Sequence, residues 1–172
     1  LTEFWHAEVE SAWLHNHQMM ELEEGMIVHI LKEVLSANRS ELEFLGRDVS
    51  ILENIKAPFD RMKYEEVLDK LNSMGFDLGW GDDFGYKEEK ALTHELRSPL
   101  YITHFPKEKG FYHRPDPSDP KALVCHDLLA PEGYGEIIGG GERVWSPDEL
   151  IERIKEENLE PDSYGWYLDI RK

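Results

Sequence analysis

Four strand-like segments follow one another in the second half of the chain, separated only by short Pro-, Gly- or Asp-rich links. They read LYITHF, GFYHR, ALVCHDLL and GEIIGG. Links of this length favour antiparallel pairing, because a parallel connection needs a dozen or more residues. Helical patterns are grouped before and after these segments. The order predicts an α+β fold, in which an antiparallel β-sheet is flanked by helices.

The helical patterns are recognised by apolar residues at a spacing of three or four. They predict helices over residues 18–37, 40–46, 64–75, 86–98 and 146–158, and a short one near the end of the chain. The last of the long helices has a strong start, with Ser146 as N-cap, Pro147 after it and Glu149 at the third position. Residues 57–64, after a Pro turn, predict a short strand.

The first residues of the chain alternate in the way a strand does. In TEFWHAEVESAW, one face would carry Phe4, His6, Glu8 and Glu10, and the other face would be apolar. This pattern predicts a strand that presents an aromatic ring and acids on a single side.

Composition excludes several classes of protein. The chain has 172 residues, of which 40% are hydrophobic, so it is long enough and apolar enough for one domain with a core. It contains neither an apolar run that could span a membrane nor a secretory leader pattern. The single cysteine, Cys125, excludes a disulfide framework and favours a reducing compartment.

The net charge is −17, which argues against binding nucleic acid through a broad basic surface on this segment. Two interpretations of the acidity remain open. One is an ordinary solvated surface, and the other is a site that takes cations together with its substrate.

The stretch LLAPEGYGEIIGGGER, residues 128–143, places two acids beside one turn. A hairpin centred on Pro131 and Glu132 would pair Asp127 with Glu136, with their Cβ atoms about 4.5–5.5 Å apart on one face. Carboxylates this close repel unless a proton, an arginine or a divalent cation neutralises them. Magnesium, with one or two carboxylates plus phosphate and water, would fit; a register slip that leaves one acid in solvent is the alternative.

Three glycines and an arginine follow this hairpin. Residues 139–141 have no side chains, which suits a bulge or a ligand lying directly on the backbone, although an ordinary loop is the alternative. A guanidinium such as that of Arg143 can hold a carboxylate or carboxamide through paired hydrogen bonds. By strict alternation Arg143 would leave the face of Glu136, so the glycines must break the alternation if both share a site.

Other chemistries are poorly supported by the sequence. His104, His113 and His126 lie on neighbouring predicted strands, but their spacing matches no zinc signature. Cys125 and His126 are adjacent strand residues that face opposite ways, which excludes a catalytic dyad. The phosphate-binding motifs G-x-x-x-x-G-K-[ST] and G-x-G-x-x-G are absent from the sequence.

Five segments in order carry a resemblance to a known family. TEFWHAEVESAW, WGDDFGYKEEKAL, THFPKEKGFY, DLLAPEGYGEIIGGGER and WYLDIRK resemble the catalytic domain of asparaginyl-tRNA synthetases of the archaeal or bacterial type, in the aspartyl/asparaginyl/lysyl subgroup of class II. The resemblance spans nearly the whole chain. It implies an enzyme that uses ATP and Mg²⁺ to convert asparagine to asparaginyl-adenylate and then charges tRNA(Asn). It also implies a cytoplasmic homodimer without a membrane anchor.

The resemblance assigns roles in nucleotide binding to four residues. Phe4 would stack on the adenine, and Glu3 would help to hold the nucleotide. Asp127 and Glu136 match the family's acids that bridge Mg²⁺ to the phosphates of ATP.

The same comparison implies three residues for the amino acid. Glu8 would accept a hydrogen bond from the carboxamide NH₂ of asparagine, and Arg143 would grip its side-chain carbonyl. Gly140 would let the backbone lie against the substrate. This chain has GGGER where the family more commonly has GGSQR or GGSER, a change that keeps the arginine.

Several family elements are not in the sequence: the first motif, the first half of the second, the third, and the anticodon-binding barrel. Residues 1–172, which begin at Leu1 rather than Met, are therefore expected to be a fragment of the catalytic domain, from the middle of motif 2 to just before motif 3. We expect this fragment alone to be inactive and assign the function to the parent protein. Two alternatives are a synthetase-like asparagine synthetase that amidates activated aspartate, and a non-catalytic synthetase-like module.

Overall fold

The structure is a computed structural model that describes residues 3–172. Its centre is a four-stranded sheet in the order β1-β2-β5-β6, beside a separate two-stranded ribbon of β3 and β4. The strands are β1 (Asp60–Lys63), β2 (Leu100–Thr103), β3 (Pro115–Asp116), β4 (Asp119–Leu123), β5 (Cys125–Ala130) and β6 (Gly135–Gly141). The predicted α+β class, with helices flanking a sheet, is confirmed.

Within residues 3–172, seven α-helices surround or extend this sheet. They are α1 (Asn16–Ala37), α2 (Arg39–Phe44), α3 (Val49–Asn54), α4 (Tyr64–Ser73), α5 (Tyr86–Thr93), α6 (Pro147–Glu156) and α7 (Gly165–Asp169). Short 3-10 helices span Lys107–Lys109 and Pro161–Tyr164. The sequence did not predict α3, and it extended α5 five residues too far. None of the helices in the described range is long and apolar enough to cross a membrane.

Both faces of the central sheet are covered, which explains why its middle strands are apolar throughout. On one face, Ile102 and Leu129 pack in a core with Val67 and Leu71 of α4. On the other face, Tyr101 and Leu128 pack with residues of α1, α3 and the segment before β1. A third, smaller core lies around α6 and α7. The sheet is therefore held rigidly from both sides, which suits a platform for a site.

One strand pair corrects the prediction of a purely antiparallel sheet. β1 runs parallel to β2, with Asp60 opposite Leu100 and Lys63 opposite Thr103. The connection between them contains α4 and α5, which is long enough for a parallel crossover. The pairs of β2 with β5 and of β5 with β6 are antiparallel as expected.

The strand predicted at the start of the chain does not form. Residues 3–11 adopt no helix or strand, and Phe4 and Trp5 are exposed. A strand needs a partner for its backbone hydrogen bonds, and none of the strands between residues 3 and 172 pairs with this segment. Alternation therefore predicted the faces of a strand without showing that a neighbour was available.

Two other strand predictions differ in detail. Residues 110–114 form a single β-bridge, His113 with Arg143, rather than a full strand. Residues 122–129 were expected to form one strand, but the segment divides at Val124 into β4 and β5. The backbone of Val124 bonds Arg114 and Glu142 at this junction, so the chain leaves the ribbon and joins the central sheet there.

The core packing gives a prediction for stability. Leu71→Ala should lower the free energy of unfolding by about 2–5 kcal/mol, because Leu71 is fully buried and its removal leaves a cavity. The matched control Leu45→Ala, at a side chain that is 78% exposed, should change it by less than about 0.5 kcal/mol. Urea unfolding of the 172-residue chain, followed by circular dichroism, measures both. Equal losses in the two variants would contradict this assignment of the core.

Candidate active site

The acids Asp127 and Glu136 reach the same face of the sheet through a register that differs from the predicted one. Asp127 lies opposite Gly139, and Glu136 lies opposite Leu129. The direct pairing of the two acids was therefore wrong. The register shifts between Leu128 and Leu129, which leaves Ile137 as one extra residue in β6, a β-bulge. Because the bulge interrupts the alternation, Glu136 and Gly139 both face the side that Asp127 occupies.

The turn before this bulge is longer than the two-residue turn that we predicted. Ala130 pairs with Gly135, so four residues, 131–134, form the loop. Glu132 adopts a positive φ of 62°, which is unusual for a residue other than glycine. Its carboxylate accepts hydrogen bonds from both terminal nitrogens of Arg47, one of them at 2.9 Å. This ion pair, 85 positions apart in sequence, stabilises the turn that sets the register of β6.

The carboxylates of Asp127 and Glu136 converge at Gly139. A Cβ added to Gly139 would lie 2.9 Å from Glu136 Oε1 and 3.4 Å from Asp127 Oδ1. Glycine at this position therefore leaves the space into which both acids point. Burial, and next the negative charge of Asp127, raise the pKa of the Glu136 carboxyl. The site thus holds two carboxylates whose negative charges repel each other.

Lys109 is a member of this site that sequence reasoning missed. It follows Pro106 at the end of the 3-10 helix, and its ammonium forms an ion pair with Asp127. The same nitrogen lies 3.5 Å from the centroid of the Phe105 ring, a cation–π contact. In the sequence Lys109 is one of three consecutive charged residues, and nothing in the segment KEK distinguishes it from its neighbours.

A cavity of about 520 Å³ lies beside the two acids. This volume is in the usual range for small-molecule sites. Its lining combines charged groups with aromatic rings from the loop after β2, from the last 3-10 helix and from α7: Lys109, Phe111, Tyr112, His113, Asp127, Glu136, Gly139, Gly140, Arg143, Tyr164, Trp166 and Tyr167. Of the predicted site residues, Asp127, Glu136, Gly140 and Arg143 therefore line a single cavity.

Arg143 reaches the cavity because the bulge at Ile137 returns its side chain to the face of Glu136. The alternation therefore breaks before the glycines and not at the glycines, where the sequence had led us to expect it. Its Nη2 donates to Glu10 Oε1 at 3.1 Å, and its guanidinium lies 5.0 Å from the centroid of the Tyr112 ring. Glu10 is 76% exposed and the arginine side chain is 41% exposed, so the pair contributes little to stability. A ligand can therefore displace this ion pair at small cost.

The other three predicted residues, Glu3, Phe4 and Glu8, do not line this cavity. All three are exposed, within the N-terminal segment that forms no strand. Glu8 Oε1 lies 3.7 Å from Nδ1 of His6, two positions earlier in the chain. In the structure Glu10, rather than Glu8, contacts Arg143, and the roles of Glu3, Phe4 and Glu8 in binding stay predictions.

The opposite face of β5 carries a buried polar network. His126 Nε2 lies 3.0 Å from both carboxylate oxygens of Glu23, and its Nδ1 lies 2.8 Å from Asn16 Oδ1. Tyr101 donates to the same carboxylate at 3.0 Å. A Cβ at Gly140 would come within 2.7 Å of the His126 ring, so glycine is required here by close packing. This network joins α1 to the sheet.

The histidines do not assemble a metal site. His126 belongs to the buried network, His104 Nε2 contacts Asp116 at 3.2 Å, and His113 lines the cavity. Within the part of the chain that the structure describes, no three His, Cys, Asp or Glu side chains form a potential ligand set. The arrangement at Asp127 and Glu136 instead supplies two carboxylates, which suits a hard cation that takes its remaining ligands from phosphate and water.

The comparisons with known proteins decide the family. The family described as tRNA synthetases class II (D, K and N) matches residues 1–172. The chain belongs to this family. The resemblance found in the sequence is therefore confirmed. Relatives named asparagine–tRNA ligase match the whole of this chain. The one from Thermoplasma acidophilum is 48% identical over 100% of this chain and 40% of its own length.

Solved structures of asparaginyl-tRNA synthetases are similar to this chain in fold. The crystal structure of asparaginyl-tRNA synthetase from Pyrococcus horikoshii complexed with asparaginyl-adenylate is 41% identical, with a TM-score of 0.88 over 94% of this chain and 37% of that one. The asparaginyl-tRNA synthetase from Entamoeba histolytica in complex with asparaginyl-adenylate is 29% identical, with a TM-score of 0.78 over 92% and 36%. The chain thus spans about 40% of the length of the curated relatives that it matches.

The convergence of the two acids gives a prediction for titration. Asp127→Asn should lower the pKa of the Glu136 carboxyl, because it removes a nearby negative charge and frees Lys109. The pKa should stay above its ordinary value, since burial is the larger cause and remains. Carbon-detected NMR titration of the chain measures it. The control Asp77→Asn, at an exposed acid, should leave the titration of Glu136 unchanged; an unchanged titration in Asp127→Asn as well would show that the acids are not coupled.

Proposed function

We propose that residues 1–172 are part of the catalytic domain of an asparagine–tRNA ligase. The parent protein would activate asparagine with ATP to give asparaginyl-adenylate and pyrophosphate, and would then transfer the amino acid to tRNA(Asn). The observation that carries this proposal is the convergence of Asp127 and Glu136 at Gly139, in the cavity that Arg143 also lines. Relatives named asparagine–tRNA ligase and a related structure with asparaginyl-adenylate support it.

The charges of the cavity fit the first reaction. One carboxylate oxygen of asparagine would attack the α-phosphorus in line, forming the new O–P bond as the bond to pyrophosphate breaks. This chain contributes by holding the two reactants in position rather than by covalent chemistry. Arg143 would donate hydrogen bonds to the side-chain carbonyl of asparagine, in place of its contact with Glu10.

Magnesium would be held by Asp127 and Glu136. Their oxygens come from adjacent strands and point into one space, and burial, followed by the negative charge of Asp127, raises the pKa of Glu136. Bound there, Mg²⁺ supplies neutralisation of the phosphate charge. Gly139, which lies between the acids, leaves room for the phosphate groups to approach the backbone. We further propose, from the family resemblance, that the parent protein is a cytoplasmic homodimer.

The amino acid is tested by ATP–pyrophosphate exchange with the full-length parent protein. Asparagine should support exchange at least about a hundredfold better than aspartate, because a site built for a carboxamide leaves unpaired groups with the wrong side chain. A preference for aspartate would instead favour the synthetase-like asparagine synthetase. Absence of exchange with either amino acid would favour the non-catalytic module.

A pair of variants of the full-length protein separates the two ends of the cavity. Glu136→Gln should raise the KM for Mg·ATP or lower kcat by about tenfold or more and change the asparagine KM less than about twofold. Arg143→Leu should do the reverse, because it removes only the contact with the side-chain carbonyl. Steady-state exchange kinetics measure both constants, with Glu21→Gln and Arg39→Leu, both at exposed positions, as matched controls. If each variant weakened both substrates equally, the proposed division of roles would be wrong.

A further inference from the structure

His113 is a buried residue of the cavity to which neither the sequence nor the family resemblance assigns a role. It forms an antiparallel bridge with Arg143, so the two side chains lie on the same face as direct neighbours. The backbone bonds on either side, Arg114 N to Glu142 O at 2.8 Å and Val144 N to Tyr112 O at 2.9 Å, fix this register. His113 is only 7% exposed, and it lines the cavity.

The ring of His113 fills the space that a side chain at position 141 would need. A Cβ added to Gly141 would lie 2.4 Å from His113 Nδ1, 2.6 Å from His113 Cε1 and 2.7 Å from Cys125 Cβ. Real Cβ atoms do not approach other atoms so closely, so one side chain must move if position 141 gains one. The His113 ring and the Cys125 side chain together therefore leave no room for a side chain at position 141.

The ring is also suited to lie beside a guanidinium. Burial lowers the pKa of His113 to about 3, and the positive charges of Arg143 and Lys109 act in the same direction. The imidazole is consequently neutral near pH 7 and does not repel Arg143. Its Nδ1 has no hydrogen-bond partner among the described residues. A buried polar nitrogen without a hydrogen-bond partner destabilises the folded state. Its presence here therefore points to a role other than stability of the fold.

We infer that the His113 ring, which lies beside Gly141, forms the wall of the amino-acid end of the cavity and acts as a positioning residue for Arg143. The inference rests on the proposed function, because it deepens the role of the site that binds the carboxamide. The imidazole occupies the space next to the backbone of Gly141, on the face from which Arg143 enters the cavity. The ring thereby holds the guanidinium over the cavity.

The test is a pair of variants of the full-length parent protein, read as KM and kcat in ATP–pyrophosphate exchange. His113→Ala should raise the asparagine KM about tenfold, because the wall beside Arg143 is lost, and should leave the ATP KM within about twofold. His113→Met should keep the asparagine KM within about threefold of wild type, because a neutral side chain of similar volume restores the wall.

The control is Gly25→Ser, at a helical glycine with no atom within 4 Å of an added Cβ, which should leave both constants unchanged. An unchanged asparagine KM in His113→Ala, or an equal rise in both KM values, would overturn the inference. So would a His113→Met variant no better than His113→Ala. Failure of the wild type to exchange with asparagine would instead overturn the proposed function, so the two failures are distinguishable.

Discussion

The pairing of β5 with β6, with one extra residue at Ile137, is the constraint on which the site depends. Without the bulge, Glu136 and Arg143 would point to opposite sides of the sheet, since alternation separates residues seven positions apart. With it, both face the cavity together with Asp127. The bulge depends in turn on a four-residue loop, which the ion pair between Arg47 and Glu132 holds from outside the hairpin. The geometry of the cavity is thus set in part by an ion pair that lies outside the cavity.

The same pairing creates an electrostatic conflict that the fold tolerates. Asp127 is buried, and partial loss of water together with the charge of Asp127 raises the pKa of Glu136, so two charged carboxylates are disfavoured here. Lys109 relieves this conflict in part through its ion pair with Asp127. Under the proposed function, a divalent cation bound between the two acids would remove this repulsion. A site of this kind binds its ligand through charges that the protein alone leaves poorly compensated.

The sequence predicted features that depend on neighbouring residues. It failed for features that depend on contacts between residues far apart in the chain. The helix after Ser146 was predicted because the cap is encoded within four residues, and Ser146 accepts from Glu149 N at 3.4 Å as expected. The predicted register of β6 was wrong because the conformation of the loop before it depends on Arg47. No local sequence pattern links Arg47 to Glu132. Lys109 was missed for the same reason, since its partner lies across the fold. The family resemblance identified Asp127, Glu136 and Arg143 by position, and the structure brings them together by a route that alternation did not predict.

The three consecutive glycines make β6 unusually thin at the centre of the site. Gly139 leaves its side to the carboxylates, Gly140 leaves the other side to the His126 ring, and Gly141 makes room for His113. A single layer of peptide groups therefore separates whatever occupies the cavity from helix α1 and its buried network. No side chains at these three positions lie between helix α1 and the cavity. A shift of that helix can therefore be transmitted through the β6 backbone to the cavity.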